Sequence, residues 1–113
     1  MMLFMPSRNW QLRIQDIFQA AQDIAHFTDG LSFDEFAENK MLVQSVLYNF
    51  LIIGEASANI PAEIKELHPT IPWRIMADMR NVMAHEYFQV NLAIVWQTIH
   101  RSLPPVISQL RKI

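Results

Sequence analysis

The stretch from Met41 to Asn59 constrains this chain more than any other feature. Wound as a helix, it spreads Met41, Leu42, Val43, Val46, Leu47, Phe50, Leu51, Ile52 and Ile53 over more than one face. A helix that is apolar nearly all round must be covered on several sides. The segment therefore belongs at the centre of a helical bundle, at a seam between two copies, or at both. Its longest apolar run, Val46 to Ile53, is interrupted by Asn49 and falls well short of a membrane span, so no membrane role is expected.

The rest of the chain reads as helix too. Only two glycines occur, Gly30 and Gly54, and no apolar–polar alternation of the strand type is bounded by turn residues. The fold class expected is all-α, an antiparallel bundle of about five to six helices. With 113 residues there is room for one domain, taken as residues 1–113. Apolar residues make up 51% of the chain and charged residues 18%. Small domains bury a lower fraction of their surface than large ones, so this excess points to a self-association surface, in a dimer or larger assembly.

Individual helices can be placed from their caps. A first helix is expected from near Ser7, with Trp10, Ile14, Ile17, Phe18, Ala21, Ile24 and Ala25 on one face and a stop at Asp29-Gly30. Ser32-Phe33-Asp34-Glu35 has the form of a capping box opening a short second helix. Pro61 suits the first turn of a fourth helix running to about His68. Pro72 does the same for a fifth, carrying Trp73, Ile75, Met76 and Met79. A last helix shows Leu92, Val95, Trp96, Ile99 and Leu103 on one face. Pro104-Pro105 must bend or break it, with a short terminal helix over 106–113.

Several classes of chemistry are excluded. The chain has no cysteine, so disulfides, thiolate catalysis and thiolate metal sites are ruled out. His26, His68 and His100 show no metal-ligand spacing, and His85-Glu86 lacks a second histidine one turn away. No metal and no other cofactor is expected. The net charge of −2 means that RNA must be held by a local patch rather than by the whole molecule. The Met1–Met5 segment is too short and uncharged for a signal peptide, and the location expected is cytoplasmic.

One constellation stands out, Arg80-Asn81-Val82-Met83-Ala84-His85-Glu86-Tyr87. Arginine offers a planar charged fork matched to phosphate oxygens. Histidine exchanges a proton near neutral pH, and asparagine and tyrosine orient or donate hydrogen bonds. RNA cleavage without a metal needs these groups: one to deprotonate a ribose 2′-hydroxyl and one to stabilise charge developing on phosphorus. Five residues along a continuous helix turn a side chain by roughly 140°, so Arg80 and His85 point apart on a straight helix. A helix end or break between Met83 and Tyr87 is expected. An end near Ala84 would let His85 fold back toward Arg80; otherwise the two groups converge across subunits. On spacing alone, Arg80 and His85 read more readily as surface or salt-bridged residues than as a catalytic pair.

Further candidates are plainer. Glu55, a carboxylate on the most apolar helix, needs a partner and reads either as hydrogen-bonded to motif residues such as Arg80 or as a solvated or salt-bridged helix residue, while Gly54 permits close helix packing. Trp73 and Trp96 sit in apolar stripes and read as core rather than as base platforms. Glu86 is expected to face solvent. Arg74, Arg101, Arg111 and Lys112 are available for phosphate contacts or simply for solubility.

Arg80-Asn81 followed by His85-x-Tyr87 resembles the Arg-x-x-x-x-His-x-Tyr signature of HepT-like toxins of the HEPN superfamily. Ile53-Gly54-Glu55-Ala56, Ile71-Pro72-Trp73, Val95-Trp96 and Leu103-Pro104 are similar to that family as well, over about Trp10 to Leu110. One departure is Asn91, where the family commonly has aspartate; asparagine caps a helix about equally well. The resemblance implies a homodimeric helical bundle that brings two motifs to one cleft. It implies a metal-independent endoribonuclease, the toxin of a toxin–antitoxin pair. Arg80 and His85 are then catalytic, and Asn81, Tyr87 and Glu55 supporting. It also implies an MntA-like minimal nucleotidyltransferase antitoxin that transfers AMP to Tyr87. The alternative is a non-catalytic helical module that binds a nucleotidyltransferase or a nucleotide.

Overall fold

The apolar central segment forms helix α3 (Lys40–Ala58), and the molecule is built around it. Helices α1 (Trp10–Thr28) and α5 (Trp73–His85) both pack on α3. A computed structural model describes residues 9–85 and 87–113. By length and composition α3 could cross a membrane; here Val46, Leu47, Phe50, Ile53 and Ala56 are buried against its neighbours. Among the described residues there is no strand, and the all-α expectation holds.

Local chemistry sets the helix ends. Asn9 caps α1, its side chain accepting from the Gln11 amide at 2.7 Å; Ser7 lies outside the described residues. Helix α1 stops at Asp29, and Gly30 follows at φ +75°, a left-handed conformation that glycine adopts without steric cost. Helix α2 (Phe33–Glu38) opens with the expected capping box. The Ser32 hydroxyl accepts from the Glu35 amide at 3.1 Å, and the Glu35 carboxylate accepts from the Ser32 amide at 2.9 Å. Those bonds hold the Glu35 carboxyl below its ordinary pKa of 4.5, the Ser32 backbone bond contributing most. Helix α4 (Ala62–Leu67) follows Pro61 and ends at His68, within the bounds that the sequence suggested.

The chain after α5 makes one 3-10 turn, Tyr87–Gln89, and then helix α6 (Leu92–Gln97). Asn91 caps α6 by accepting from the amides of Ala93 and Ile94, so the asparagine does the work expected of an aspartate there. The break expected at Pro104-Pro105 does not fall there: a π turn, Thr98–Ser102, leads into helix α7 (Leu103–Leu110), which contains both prolines and starts before the expected 106. The Leu103 amide bonds five residues back to the Thr98 carbonyl. The two prolines then fall in the first turn of α7, where helical N–H groups have no intrahelical partner to lose.

Helix α2 is pinned to the α6 end of the bundle by aromatic rings. Trp96 lies 5.1 Å from the fully buried Phe36, 6.1 Å from Phe33 and 4.3 Å from His100, between ring centroids. Trp73 is buried, and its indole N–H donates to the His68 carbonyl at 3.0 Å. Trp73 is therefore core, as the sequence indicated, and Trp96 packs partly buried against that core.

Candidate active site

Arg80 sits where α5 crosses α3. A Cβ built on Gly54 would stand 2.6 Å from the Arg80 amide nitrogen and 3.1 Å from its Cα. No side chain fits in that gap, so glycine allows the two backbones to touch. Two turns earlier on α3, Leu47 lines the same groove as Tyr87, beyond the end of α5. Going back along α3 thus means going forward along α5, and the two helices run antiparallel. The close crossing therefore sets both the height and the rotation of Arg80.

The residue after Gly54 completes the arrangement. The Arg80 guanidinium donates to Glu55 Oε2 at 3.2 Å, the pairing that was one of the two readings of the sequence. The environment differs from that reading, because Glu55 is not enclosed by its apolar helix. The two side chains are 56% and 43% exposed, Glu55 and Arg80 respectively. Asn59 steadies the carboxylate, its amide donating to the Glu55 carbonyl at 2.8 Å and to Oε1 at 3.4 Å. Sequence reasoning missed Asn59; its position four residues after Glu55 was the available signal. A guanidinium that spends one N–H on a carboxylate in the open keeps further donors for a phosphate.

His85 is the last residue of α5 and is exposed. The helix ends within the window expected, yet one residue too late for the fold-back route. Because α5 stays helical through His85, the imidazole leaves the helix roughly 140° away from Arg80. It lies instead on an outward row with Ile75, Asp78 and Val82, spaced three, four and three residues apart and all exposed. Asn81 is also exposed, on the turn between Arg80 and His85. Tyr87 is half-buried and packs against the core. Glu86 lies outside the described residues.

That outward row borders an apolar groove of about 460 Å³ between α5 and the 89–98 segment, lined by Ile75, Met79, Val82, Met83 and Ile94 among others. Ile75 and Ile94 are 66% and 60% exposed. Among the described residues, no three histidine, aspartate or glutamate side chains are grouped so as to hold a metal ion. Of the distal basic residues, Arg111 lies elsewhere, its guanidinium 5.6 Å from the Phe18 ring centroid on the α1–α7 side.

Comparison with known proteins points to one family. The family model described as "Ribonuclease HepT-like" matches residues 17–113. A "Probable ribonuclease HepT" of Thermococcus cleftensis is 39% identical over 100 residues, covering 88% of this chain and 91% of that protein. A relative in Caldanaerobacter subterraneus subsp. tengcongensis, designated an RNase, is 35% identical over 88% of this chain and 89% of its own length. One in Methanocaldococcus jannaschii, also designated an RNase, is 32% identical over 96% and 90%. No solved structure matches the chain.

Proposed function

Because the chain belongs to the HepT-like ribonuclease family, we propose that it is the toxin of a two-component toxin–antitoxin pair, an endoribonuclease acting in the cytoplasm with Arg80 and His85 at its reacting centre. The observation that carries this reading is the exposure of both side chains on the last turns of α5, with Arg80 held in place by Gly54 and Glu55.

The chemistry follows from the groups available. His85 takes the proton from a ribose 2′-hydroxyl. The 2′-oxygen bonds to phosphorus as the bond to the 5′-oxygen breaks, leaving a 2′,3′-cyclic phosphate and a 5′-hydroxyl that has gained a proton. Arg80 binds the non-bridging oxygens as charge builds on them. Asn81 orients the phosphate, and Tyr87 supplies a further hydrogen bond. The reaction so drawn uses no metal ion.

A second copy of the chain completes the site. Since Arg80 and His85 of one chain diverge, the imidazole that meets a given Arg80 comes from the partner. The apolar groove beside the His85 row, with Ile75 and Ile94 open to water, is the surface on which that copy would sit. The antitoxin is an MntA-like nucleotidyltransferase that moves an adenylyl group from ATP to the Tyr87 oxygen, releasing pyrophosphate. The product places a bulky anion in the cleft, where it repels and excludes substrate phosphate.

Cleavage of RNA by the purified chain in the presence of a chelator tests this reading. Arg80→Ala and His85→Ala should each lower the rate by about two to four orders of magnitude with the fold intact, since both side chains are on the surface. Mixing the two inactive variants should restore cleavage, because a mixed dimer carries one site with both groups. Metal-dependent cleavage, or full activity in folded His85→Ala, would overturn it.

A further inference from the structure

Phe88 is 97% exposed, the most exposed of the large apolar side chains described. It stands on the 3-10 turn three residues beyond His85. Its neighbour Tyr87 meets it in an edge-to-face contact, centroids 5.3 Å apart and planes at 81°, which fixes the ring while hiding almost none of it. Beneath the turn lies a groove of about 480 Å³ whose floor includes Val43 and Leu47 and whose rim holds Glu38, Lys40 and Gln44.

We propose that Phe88 is a stacking platform for an unpaired base of the RNA, one nucleotide to the side of the scissile phosphate, and that the groove beside it receives that nucleotide with Lys40 on its phosphate. This inference rests on the ribonuclease reading and adds to it the conformation of the substrate, single-stranded where it crosses the turn. A chain of net charge −2 cannot hold RNA by its overall field. Stacking supplies affinity that does not depend on that field and tolerates any base, because every base has a π-face. The groove's mixed rim suits a nucleotide better than an apolar protein surface: an ammonium for phosphate, and an amide and a carboxylate for base edges. The extended apolar surface that a protein partner would cover lies elsewhere, around Ile75 and Ile94. The site is also continuous in sequence with the motif, so a strand engaged by His85 has Phe88 within reach of its next nucleotide.

The test compares the full chain with Phe88→Ala and Phe88→Trp on a short single-stranded RNA. The same RNA carries a single abasic residue, moved in turn through the positions flanking the cleavage site. Binding is measured in parallel on a non-cleavable 2′-O-methyl version by fluorescence anisotropy. Phe88→Ala should raise KM and the Kd by about ten- to a hundredfold, the range typical of losing one stacked base. It should leave kcat nearly unchanged, and Phe88→Trp should retain tight binding. At one flanking position the abasic residue should cost the native chain a similar factor and cost Phe88→Ala nothing further. Equal Kd and KM in Phe88→Ala and the native chain would overturn the proposal. So would a loss that tracks a dimer-to-monomer shift in sedimentation, which assigns Phe88 to a protein contact. A native chain that binds this RNA without cleaving any sinks the ribonuclease reading and leaves the Kd comparison to decide the role of Phe88. One that neither cleaves nor binds sinks both.

Discussion

Gly54 and Arg80 touch through their backbones, and no larger residue could stand at position 54 without moving α5: the missing Cβ would lie 2.6 Å from the Arg80 amide nitrogen. The backbone of Arg80 is thus placed by a contact between main chains, and its guanidinium is then held by Glu55. That geometry separates what holds the fold from what tunes the site.

Gly54→Ala should therefore damage both. Alanine gains up to about 1 kcal/mol of helix propensity over glycine. Against that stands an overlap with backbone that no rotamer change relieves, and overpacking of this kind costs about 1–3 kcal/mol. The expected result is a lower melting temperature together with loss of RNA cleavage, read by thermal melting and a cleavage assay. A melting temperature equal to or above the native one would show that the crossing is looser than the contact implies.

Glu55→Ala should separate the two effects. Its ion pair with Arg80 is about half exposed, and such pairs contribute roughly 0–1 kcal/mol, so stability should hardly move. The guanidinium loses its anchor, however, and small misplacements of a reacting group cost up to about a hundredfold in rate. We expect kcat to fall about ten- to a hundredfold with KM little changed, and Glu55→Gln to fall between. Unchanged kinetics in Glu55→Ala would make the pair a surface ornament of α3.

Ser57 offers a stability gain. It is fully buried on α3, and its hydroxyl oxygen has no hydrogen-bond partner. An unmade bond of this sort costs about 1–3 kcal/mol, whereas removing the group leaves nothing unsatisfied. Ser57→Ala should raise the melting temperature by up to about 4–13 °C and leave cleavage unaffected. A lower melting temperature would mean that the hydroxyl does find a partner.

Acid sensitivity should pass in part through Glu35. Its folded pKa is held below the ordinary 4.5 by the Ser32 bonds. The ionised form is therefore the one that folding favours. The stabilisation is complete above the ordinary value and disappears as the pH falls through the folded one. Glu35→Gln removes that titration, so its urea midpoint should fall less steeply than the native one between about pH 6 and about pH 3. Parallel curves would show that the capping box contributes no pH dependence.

Much of this molecule was legible before its structure. The α1 stop at Asp29-Gly30, the Ser32–Glu35 box and the Asn91 cap are local signals, each settled by residues within four of one another. The motif from Arg80 to Tyr87 was legible for the same reason, and it carried the family. Boundaries were less secure. Asn9 is the side chain that caps α1, and α5 continues one residue past Ala84, because cap choice depends on small differences among adjacent polar groups.

Composition, helical period and the motif determined by themselves that the chain is helical, that the 41–59 segment is covered on several sides and that Arg80 and His85 are the residues to examine. Tertiary structure alone decided that Gly54 meets the Arg80 backbone and that Phe88 stands in water. The physical reason is range. Helix propensity and capping act over a few residues, whereas contact between positions 54 and 80 and the exposure of a side chain on a turn depend on how separate helices pack, which no local pattern encodes.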